Sequence, residues 1–271
     1  MLTELSVVIP TFNRRANVVK AIRSALALLP HANTEIIVVD DASSDGTSAE
    51  LQSVFSREID SQLLQLACSK QNVGATGAKN LGAGLARGEW IVFLDSDDEL
   101  LPEGLAAMVA QLRNAAGAPL VFFRCADRSG RVIGSQVGEC QTLTVRDVVA
   151  WRWGECLPVV RRDAFARFSY DHDLRGHEGL AYARMTRALG CARLSPLVVR
   201  AYDDESTDRL STPAGIRARS CELARGHWRA MVECWREFGP TGILRQWAKV
   251  VYYALACLTL RSKEVSKAGV A

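Results

Sequence analysis

The sequence predicts an α/β fold in which helices cover both sides of a mainly parallel central sheet, followed by a helical C-terminal tail. Short, nearly continuous apolar runs occur at residues 5–9, 35–39 and 90–94, and such runs are typical of strands buried on both faces. Segments with apolar residues at helical spacing follow the first two runs, at 16–29 and 47–55. Repeated strand–helix units of this kind indicate parallel strands joined by crossover helices.

The remaining elements of the first half continue this alternation. We predict a weaker strand at residues 63–67, a helix rich in small residues at 77–87, another helix at 103–114 and a strand at 120–123. After about residue 126 the pattern changes, because glycines interrupt short polar segments and helices become harder to place.

Two further helices are predicted in the second half. One covers residues 179–189, and a long one begins near Pro213, with Thr212 as its N-cap. We therefore divide the chain into an α/β half at 1–125, an irregular region at 126–212 that completes the same domain, and a helical tail at 213–271.

Composition excludes several classes of protein. With 48% hydrophobic and 23% charged residues, the chain of 271 residues resembles an ordinary globular protein. Its formal net charge of +3 is too small to indicate a nucleic-acid partner. None of the eight cysteines stands in a CxxC pair, and the first ten residues contain no basic segment typical of a secretion signal. We therefore expect reduced thiols and a cytoplasmic protein.

Four polar segments follow the predicted strands of the first half. In a parallel sheet, ligands gather at the carboxyl ends of the strands. Each segment alone has a simpler explanation, since Asp40 and Asp41, for example, could cap a helix or form a turn. Together at one edge of one sheet, the segments predict a ligand site. They occupy residues 10–14, 40–47, 71–80 and 95–98.

The pair Asp95 and Asp97 gives the sharpest signal. It follows an apolar strand directly, so a rigid element holds both carboxylates, and residues two apart at a strand end can direct their oxygens toward one point. Carboxylates of this kind suit Mn²⁺ or Mg²⁺, which bind a few protein oxygens together with substrate phosphates. A DxD alone is weak, because acidic turns are common.

These motifs resemble those of family-2 glycosyltransferases of the GT-A type. The resemblance covers nearly all of residues 5–125. It depends on PTFNR at 10–14, VDDASSDGT at 39–47, NVGATGAKN at 72–80 and DSDD at 95–98, in the family's order and spacing. Lys79 replaces the usual arginine of the third motif; it keeps the positive charge and loses the bidentate fork.

The resemblance implies a GT-A fold and a nucleotide-sugar site. Thr11 and Asp41 are expected near the nucleobase and ribose, Lys79 in the phosphate or base pocket, and Asp97 on the metal that bridges the diphosphate. The implied metal ligands are Asp95 and Asp97. The implied nucleotide-sugar residues are Pro10, Thr11, Asn13, Arg14, Asp41, Asn72, Gly74, Lys79, Asp95 and Ser96.

The resemblance also implies a general base. Family members place an acidic pair before a helix of the second half, and the corresponding segment here is LRGHEGL at 174–180. Glu178 matches the first acid, and Gly179 replaces the second. A helix N-terminus favours the carboxylate form that a base requires. Alternatively, Glu178 only caps the helix. Downstream, residues 200–209 resemble the loop that closes over the diphosphate, or form a solvated surface loop.

The tail predicts contact with a membrane surface. Its uninterrupted apolar stretch, 250–258, is shorter than the ~20 residues that a spanning helix needs. Trp247, Tyr252 and nearby basic residues instead suit an interfacial helix on anionic lipid. We expect peripheral contact through residues 242–263 at the inner face of the cytoplasmic membrane. Packing on the protein's own core and a dimer contact are the alternatives.

The resemblance as a whole implies an inverting, metal-dependent hexosyl transfer. The expected donor is a UDP-sugar, and the expected acceptor is a hydroxyl of a surface polysaccharide or a lipid-linked oligosaccharide. Aspartyl-phosphate phosphatases also use acidic strand ends, but they place the DxD after the first strand, which here ends in PTFN. A nucleotide-sugar-binding protein without turnover is the alternative from a different class, and Gly179 is the feature that favours it.

Overall fold

A mixed nine-stranded sheet forms the centre of the molecule, which is a computed structural model describing residues 2–115, 117–203 and 212–268. Its path is β3-β2-β1-β4-β8-β6-β9-β5, with β7 beside β9. The strands are β1 Leu5–Thr11, β2 Thr34–Asp40, β3 Leu64–Cys68, β4 Trp90–Phe93, β5 Glu99–Leu100, β6 Leu120–Ala126, β7 Gln141–Leu143, β8 Cys156–Arg161 and β9 Ala192–Ala201.

Helices lie on both faces of this sheet. They are α1 Arg15–Leu26, α2 Thr47–Val54, α3 Ser56–Asp60, α4 Gly74–Leu85, α5 Pro102–Arg113, α6 Val145–Val149, α7 Arg162–Arg167, α8 Gly179–Leu189, α9 Pro213–Ala218 and α10 Ser220–Ala268. The two hydrophobic clusters that they form with the sheet contain alternate residues of β1, such as Val7 on one side and Val8 on the other. The predicted α/β architecture is thus confirmed.

The first half of the sheet, β1 to β4, and the second half, β5 to β9, differ in strand direction. β1, β2, β3 and β4 pair in parallel, as the alternation of strands and helices predicts. β8 then pairs antiparallel with both β4 and β6, while β6 and β9 are parallel to each other. The prediction of a mainly parallel sheet therefore describes the first half, and the sequence did not indicate β5, β7, β8 or β9.

The helical tail begins as predicted, because the Thr212 hydroxyl accepts a hydrogen bond from the Gly215 N–H at 3.1 Å. It then folds back on itself. A straight helix would separate Cys221 from Cys257 by about 54 Å, whereas their Cα atoms lie 5.0 Å apart. The reversal occurs at Gly239, where φ is 63° and Pro240 follows. We call residues 220–238 the first arm and 240–268 the second arm of a C-terminal hairpin.

A disulfide between Cys221 and Cys257 joins the two arms. The prediction that all thiols are reduced is therefore wrong for this pair. Its error has a physical cause: the cysteines are 36 residues apart in sequence, and only the reversal at Gly239 brings their side chains into bonding range. The other six cysteines are free.

Candidate active site

A cleft of about 560 Å³ opens where the parallel strands of the first half end. The peptide segments that follow β1, β2 and β4 and the first turn of α4 form one side, and the residues before α8 face them. Every residue that the sequence assigned to the site lines this cleft, with the exception of Asn13. Those lining residues are Pro10, Thr11, Arg14, Asp41, Asn72, Gly74, Lys79, Asp95, Ser96, Asp97 and Glu178.

Asn13 does not line the cleft and instead connects two neighbouring loops by hydrogen bonds. Its side-chain oxygen accepts a hydrogen bond from the Ser44 N–H at 2.8 Å, and its own N–H donates to the Ser43 hydroxyl at 2.9 Å. The backbone of Asn13 has a φ of 51°, which asparagine tolerates better than most residues. This residue therefore fixes the loop after β1 against the loop after β2, and the prediction that it lies near the nucleotide stays a prediction.

Asp41 holds the start of α4. Its two carboxylate oxygens accept hydrogen bonds from the N–H groups of Val73 and Gly74, both at 2.8 Å. Gly74 has a φ of 78°, and a Cβ there would lie 2.8 Å from Cδ of Arg175. Both the positive φ and the close approach of Arg175 favour glycine at this position.

The two carboxylates of the DxD motif each contact a basic side chain. Lys79 Nζ lies 2.8 Å from an oxygen of Asp95, and Arg14 pairs with Asp97. Burial would lower the pKa of Lys79, but the charges of Asp95 and Glu178 outweigh it and hold that pKa above its ordinary value. Lys79 therefore stays protonated in the cleft.

The carboxyl groups of the motif differ in electrostatic environment. Burial would raise the pKa of Asp95, but Lys79 and Arg200 outweigh that effect and hold it below its ordinary value. Burial, together with the charge of Asp95, raises the pKa of Asp97. Asp98 lies deeper, 3.2 Å from the Arg200 guanidinium, and accepts a hydrogen bond from the Asp203 N–H. The floor of the cleft is thus a packed group of alternating charges.

Glu178 lies immediately before α8 and faces the same cleft. Glu178 occupies the N-cap position, but its side chain makes no capping hydrogen bond to the helix, which favours the prediction of a base over the capping alternative. Asn80 helps to fix this region, because its amide group exchanges two hydrogen bonds with the backbone of Tyr170, at 2.8 and 3.1 Å. Glu178 thus lines the cleft, and its carboxylate oxygens make no hydrogen bond to the start of α8.

Some cleft residues had little or no signal in the sequence, although Tyr202 falls within the predicted loop at 200–209. Arg175 was visible only as a neighbour of Glu178, and its guanidinium forms two hydrogen bonds with Glu222 of the hairpin, at 3.0 and 2.7 Å. Glu155 and Tyr202 also line the cleft. They come from the irregular region, and their location depends on the pairing of β8 and β9, which no local pattern predicts. The predicted loop at 200–209 lies mostly outside the described residues.

The donor set suits a hard divalent cation. Asp95 and Asp97 offer carboxylate oxygens at one edge of a rigid strand, and Mn²⁺ or Mg²⁺ completes its coordination with phosphate oxygens and water. Among the described residues, no group of three or more histidine, cysteine, aspartate or glutamate side chains could hold a metal by itself. A cation here would therefore depend on the oxygens of a bound ligand, and it would compete with Lys79 and Arg14 for the carboxylates.

Comparison with known families identifies the domain. Residues 6–139 match the model of glycosyl transferase family 2. This region belongs to that family. The match includes all four polar segments of the first half, and it ends in the irregular region before Glu178. The residues of the second half in this family-2 chain are therefore assigned from geometry and resemblance alone.

Two curated relatives show how far the likeness extends. The chain is 38% identical over 117 residues to the succinoglycan biosynthesis protein ExoO of Rhizobium meliloti, covering 43% of this chain and 32% of that protein. It is 28% identical over 190 residues to the GalNAc(5)-diNAcBac-PP-undecaprenol beta-1,3-glucosyltransferase of Campylobacter jejuni, covering 68% of this chain and 60% of the relative. The chain thus spans less than two thirds of the length of either relative.

Solved structures confirm the GT-A fold of this family-2 chain. S. aureus TarS in complex with UDP-GlcNAc superposes with a TM-score of 0.64 over 94% of this chain and 73% of that one, at 15% identity. The mannosyltransferase PcManGT from Pyrobaculum calidifontis, in complex with GDP-Man and Mn²⁺, gives a TM-score of 0.60 over 97% and 76%, at 19% identity.

Proposed function

We propose that this chain is a metal-dependent glycosyltransferase that moves a sugar from a nucleoside diphosphate donor to an acceptor hydroxyl with inversion at the anomeric carbon. One observation supports this more than any other: a single cleft holds the carboxylates of Asp95 and Asp97, the cations of Lys79 and Arg14, and the uncommitted carboxylate of Glu178. Membership of family 2 supports the same reaction class.

The first half of the chain provides the donor site. Thr11, Asp41 and Asn72 line the part of the cleft near the first turn of α4, where we propose that the nucleoside binds. Lys79 and Arg14 are the positive charges closest to the DxD carboxylates, and they are placed to offset the charge of a diphosphate. Asp95 and Asp97 would hold Mn²⁺ or Mg²⁺. When bound, the cation neutralises the negative charge that develops on the departing nucleoside diphosphate.

The second half provides the base. In the proposed step, Glu178 removes the proton from the acceptor hydroxyl as the oxygen attacks the anomeric carbon. The new bond forms on the face opposite the leaving group, and the bond between that carbon and the diphosphate oxygen breaks. The diphosphate keeps the electron pair, and the proton remains on Glu178. The step therefore needs no reactant besides the donor and the acceptor.

The relatives suggest the classes of donor and acceptor. One structural neighbour is solved with UDP-GlcNAc, which favours a UDP-sugar as donor. One curated relative is named for an undecaprenol-linked acceptor, and another for succinoglycan biosynthesis. We therefore propose a lipid-linked oligosaccharide or a surface polysaccharide as acceptor. A lipid-linked acceptor would bring the enzyme to the inner face of the cytoplasmic membrane.

Calorimetry and a transfer assay test the proposal together. UDP should bind the intact chain more tightly in Mn²⁺ or Mg²⁺ than in a chelator, and Asp97→Ala should remove that metal effect and lower transfer by about a thousand-fold. Asp163→Asn is the matched control, since Asp163 is an exposed carboxylate outside the cleft. Metal-independent nucleotide binding would refute the metal assignment. Tight donor binding without any transfer would instead support a nucleotide-sugar-binding protein.

A further inference from the structure

The C-terminal hairpin exposes an apolar stripe on each of its arms. On the first arm the stripe is spaced by four and three residues, and on the second it recurs at helical spacing over four turns. The two stripes adjoin, because the rings of Trp228 and Trp247 meet edge to face with centroids 5.5 Å apart. The exposed side chains are Trp228, Val232, Trp235, Leu244, Trp247, Val251, Tyr252, Leu255 and Leu258. We call this set the hairpin stripe.

The exposed fractions are large for residues of this size. Leu244 is 71% exposed, Tyr252 67% and Trp235 53%. Isolated exposed apolar residues are normal on any protein, whereas a contiguous set of nine, three of them tryptophans, indicates a surface with a partner. No helix among the described residues is both long and apolar enough to cross a bilayer.

Charge on the hairpin is sorted by face. Each of the three acidic residues within 220–259 makes an ion pair with an arginine of the domain: Glu222 with Arg175, Glu233 with Arg184, and Glu237 with Arg187. Four of the five lysine and arginine residues in the same range are exposed instead, namely Arg225, Arg236, Arg245 and Lys249, whereas Arg229 pairs with Asp171 and Asp173 of the domain. The surface that surrounds the stripe is therefore positive, because its acidic residues are turned toward the domain.

The combination of exposed apolar and aromatic side chains with surrounding basic residues favours one kind of partner. Tryptophan and tyrosine between apolar and basic side chains are suited to the interface of a bilayer that contains anionic lipid. A second copy of the chain is a poorer fit, since a two-fold contact would bring the same positive residues together while their acidic neighbours are already paired. The disulfide and the contact of Trp228 with Trp247 hold both arms in one arrangement, so the surface exists before any partner binds.

We propose that the hairpin stripe is a docking surface for anionic membrane lipid, formed by both arms. The sequence predicted such a contact for residues 242–263 only, as a single interfacial helix. The first arm adds Trp228, Val232 and Trp235, together with Arg236, whose guanidinium lies 5.1 Å from the centre of the Trp235 ring. This inference goes beyond the proposed function, because lipid binding requires neither donor nor metal.

Vesicle sedimentation of the full chain tests the proposal. The protein should sediment with phosphatidylcholine vesicles that contain phosphatidylglycerol and stay in solution with phosphatidylcholine alone. The double variant Arg236→Glu/Arg245→Glu, with one change in each arm, should bind at least about ten-fold more weakly. Trp235→Ser should also weaken binding, which separates a two-armed surface from a single helix. Leu29→Ser and Arg57→Glu, exposed positions elsewhere on the domain, should bind as the unchanged chain does.

A second measurement avoids any dependence on variant folding. Vesicles with brominated acyl chains should quench tryptophan fluorescence of the unchanged protein, because three tryptophans lie in the stripe. The proposal is overturned if the unchanged chain neither sediments with anionic vesicles nor is quenched. It is overturned equally if light scattering finds a dimer that does not bind vesicles, or if Trp235→Ser leaves binding intact.

Discussion

The two halves of the central sheet are stabilised in different ways. In the first half, β1 pairs with β2 and β4 without a register shift, and most of the side chains between sheet and helices are hydrocarbon. In the second half, the register of β6 against β9 shifts on both sides of Arg124. The buried guanidinium of Arg124 donates hydrogen bonds to the carbonyl groups of Trp153, Ile133 and Ser135. Regular strand pairing and apolar packing thus stabilise the first half, whereas the stability of the second half depends on single polar groups such as Arg124.

The largest expected effect tests whether the first half of the chain binds the donor while the second half supplies the base. Glu178→Gln keeps size and shape but removes the base, so kcat should fall by roughly a thousand-fold, while the donor KM changes little because the donor residues lie in the first half. A steady-state transfer assay with varied donor measures both. Asp173→Asn is the control, since Asp173 pairs with Arg229 and does not line the cleft. An equal loss in both variants would contradict the assignment of the base.

The next effect tests how far the second half depends on one residue. Arg124→Met leaves three buried carbonyl groups without their donor, and we expect the free energy of unfolding to fall by about 3 kcal/mol. Urea denaturation followed by circular dichroism gives this value. Arg131→Met, in the same segment, removes an ion pair whose arginine is largely exposed, and its effect should stay within about 1 kcal/mol. Similar losses in the free energy of unfolding for both variants would show that Arg124 does not stabilise this segment more than Arg131 does.

A smaller effect probes packing in the first half with two glycines of one helix. A Cβ at Gly82 would lie 2.4 Å from Cγ1 of Val8, whereas a Cβ at Gly84 meets nothing within 4 Å. Gly82→Ala should therefore destabilise the protein by about 2 kcal/mol through overpacking. Gly84→Ala should be neutral or stabilise it by about 0.5 kcal/mol. Thermal or urea denaturation of the pair distinguishes close packing from loose packing of α4 on the sheet.

The smallest effect concerns a buried carboxylate of the first half. Burial raises the pKa of Glu35, but hydrogen bonds from Ser6 and Arg87 outweigh it and hold that pKa below its ordinary value. A lowered pKa in the folded state adds stability above the unfolded value of about 4.3, and that stability is lost as pH falls through the folded value. Glu35→Gln should flatten the acid limb of the stability curve by about 1 kcal/mol. Glu103→Gln, an exposed position, should leave it unchanged.

Much of the first half could be predicted because its signals are local. A buried parallel strand is a continuous apolar run, and the polar residues after it lie at the ligand edge by topology alone, so the gathering of Thr11, Asp41, Asn72 and Asp97 around one cleft followed from their order in the chain. α8 was predicted with its observed bounds, Gly179–Leu189, because an amphipathic helix is likewise a local pattern.

The second half could not be predicted in the same way, because its structure depends on pairings between distant residues. β8 contains a proline, and Ser195 and Pro196 interrupt the apolar pattern of β9. The contribution of Glu155 and Tyr202 to the cleft depends on those strands. The disulfide of the hairpin depends on the reversal at Gly239, and neither of its cysteines has a local feature that distinguishes it from the other six.

The way in which Asp41 holds α4 has a consequence for how a donor can be bound. In many nucleotide-binding proteins, the free amide groups at the start of a helix grip the phosphates directly. Here the carboxylate of Asp41 already accepts hydrogen bonds from the amides of Val73 and Gly74, so these two amides are not available to a diphosphate. With the donor and cation that we propose, the diphosphate would be held mainly by side chains and by the ion, so its affinity should fall as ionic strength rises and increase with divalent cation concentration.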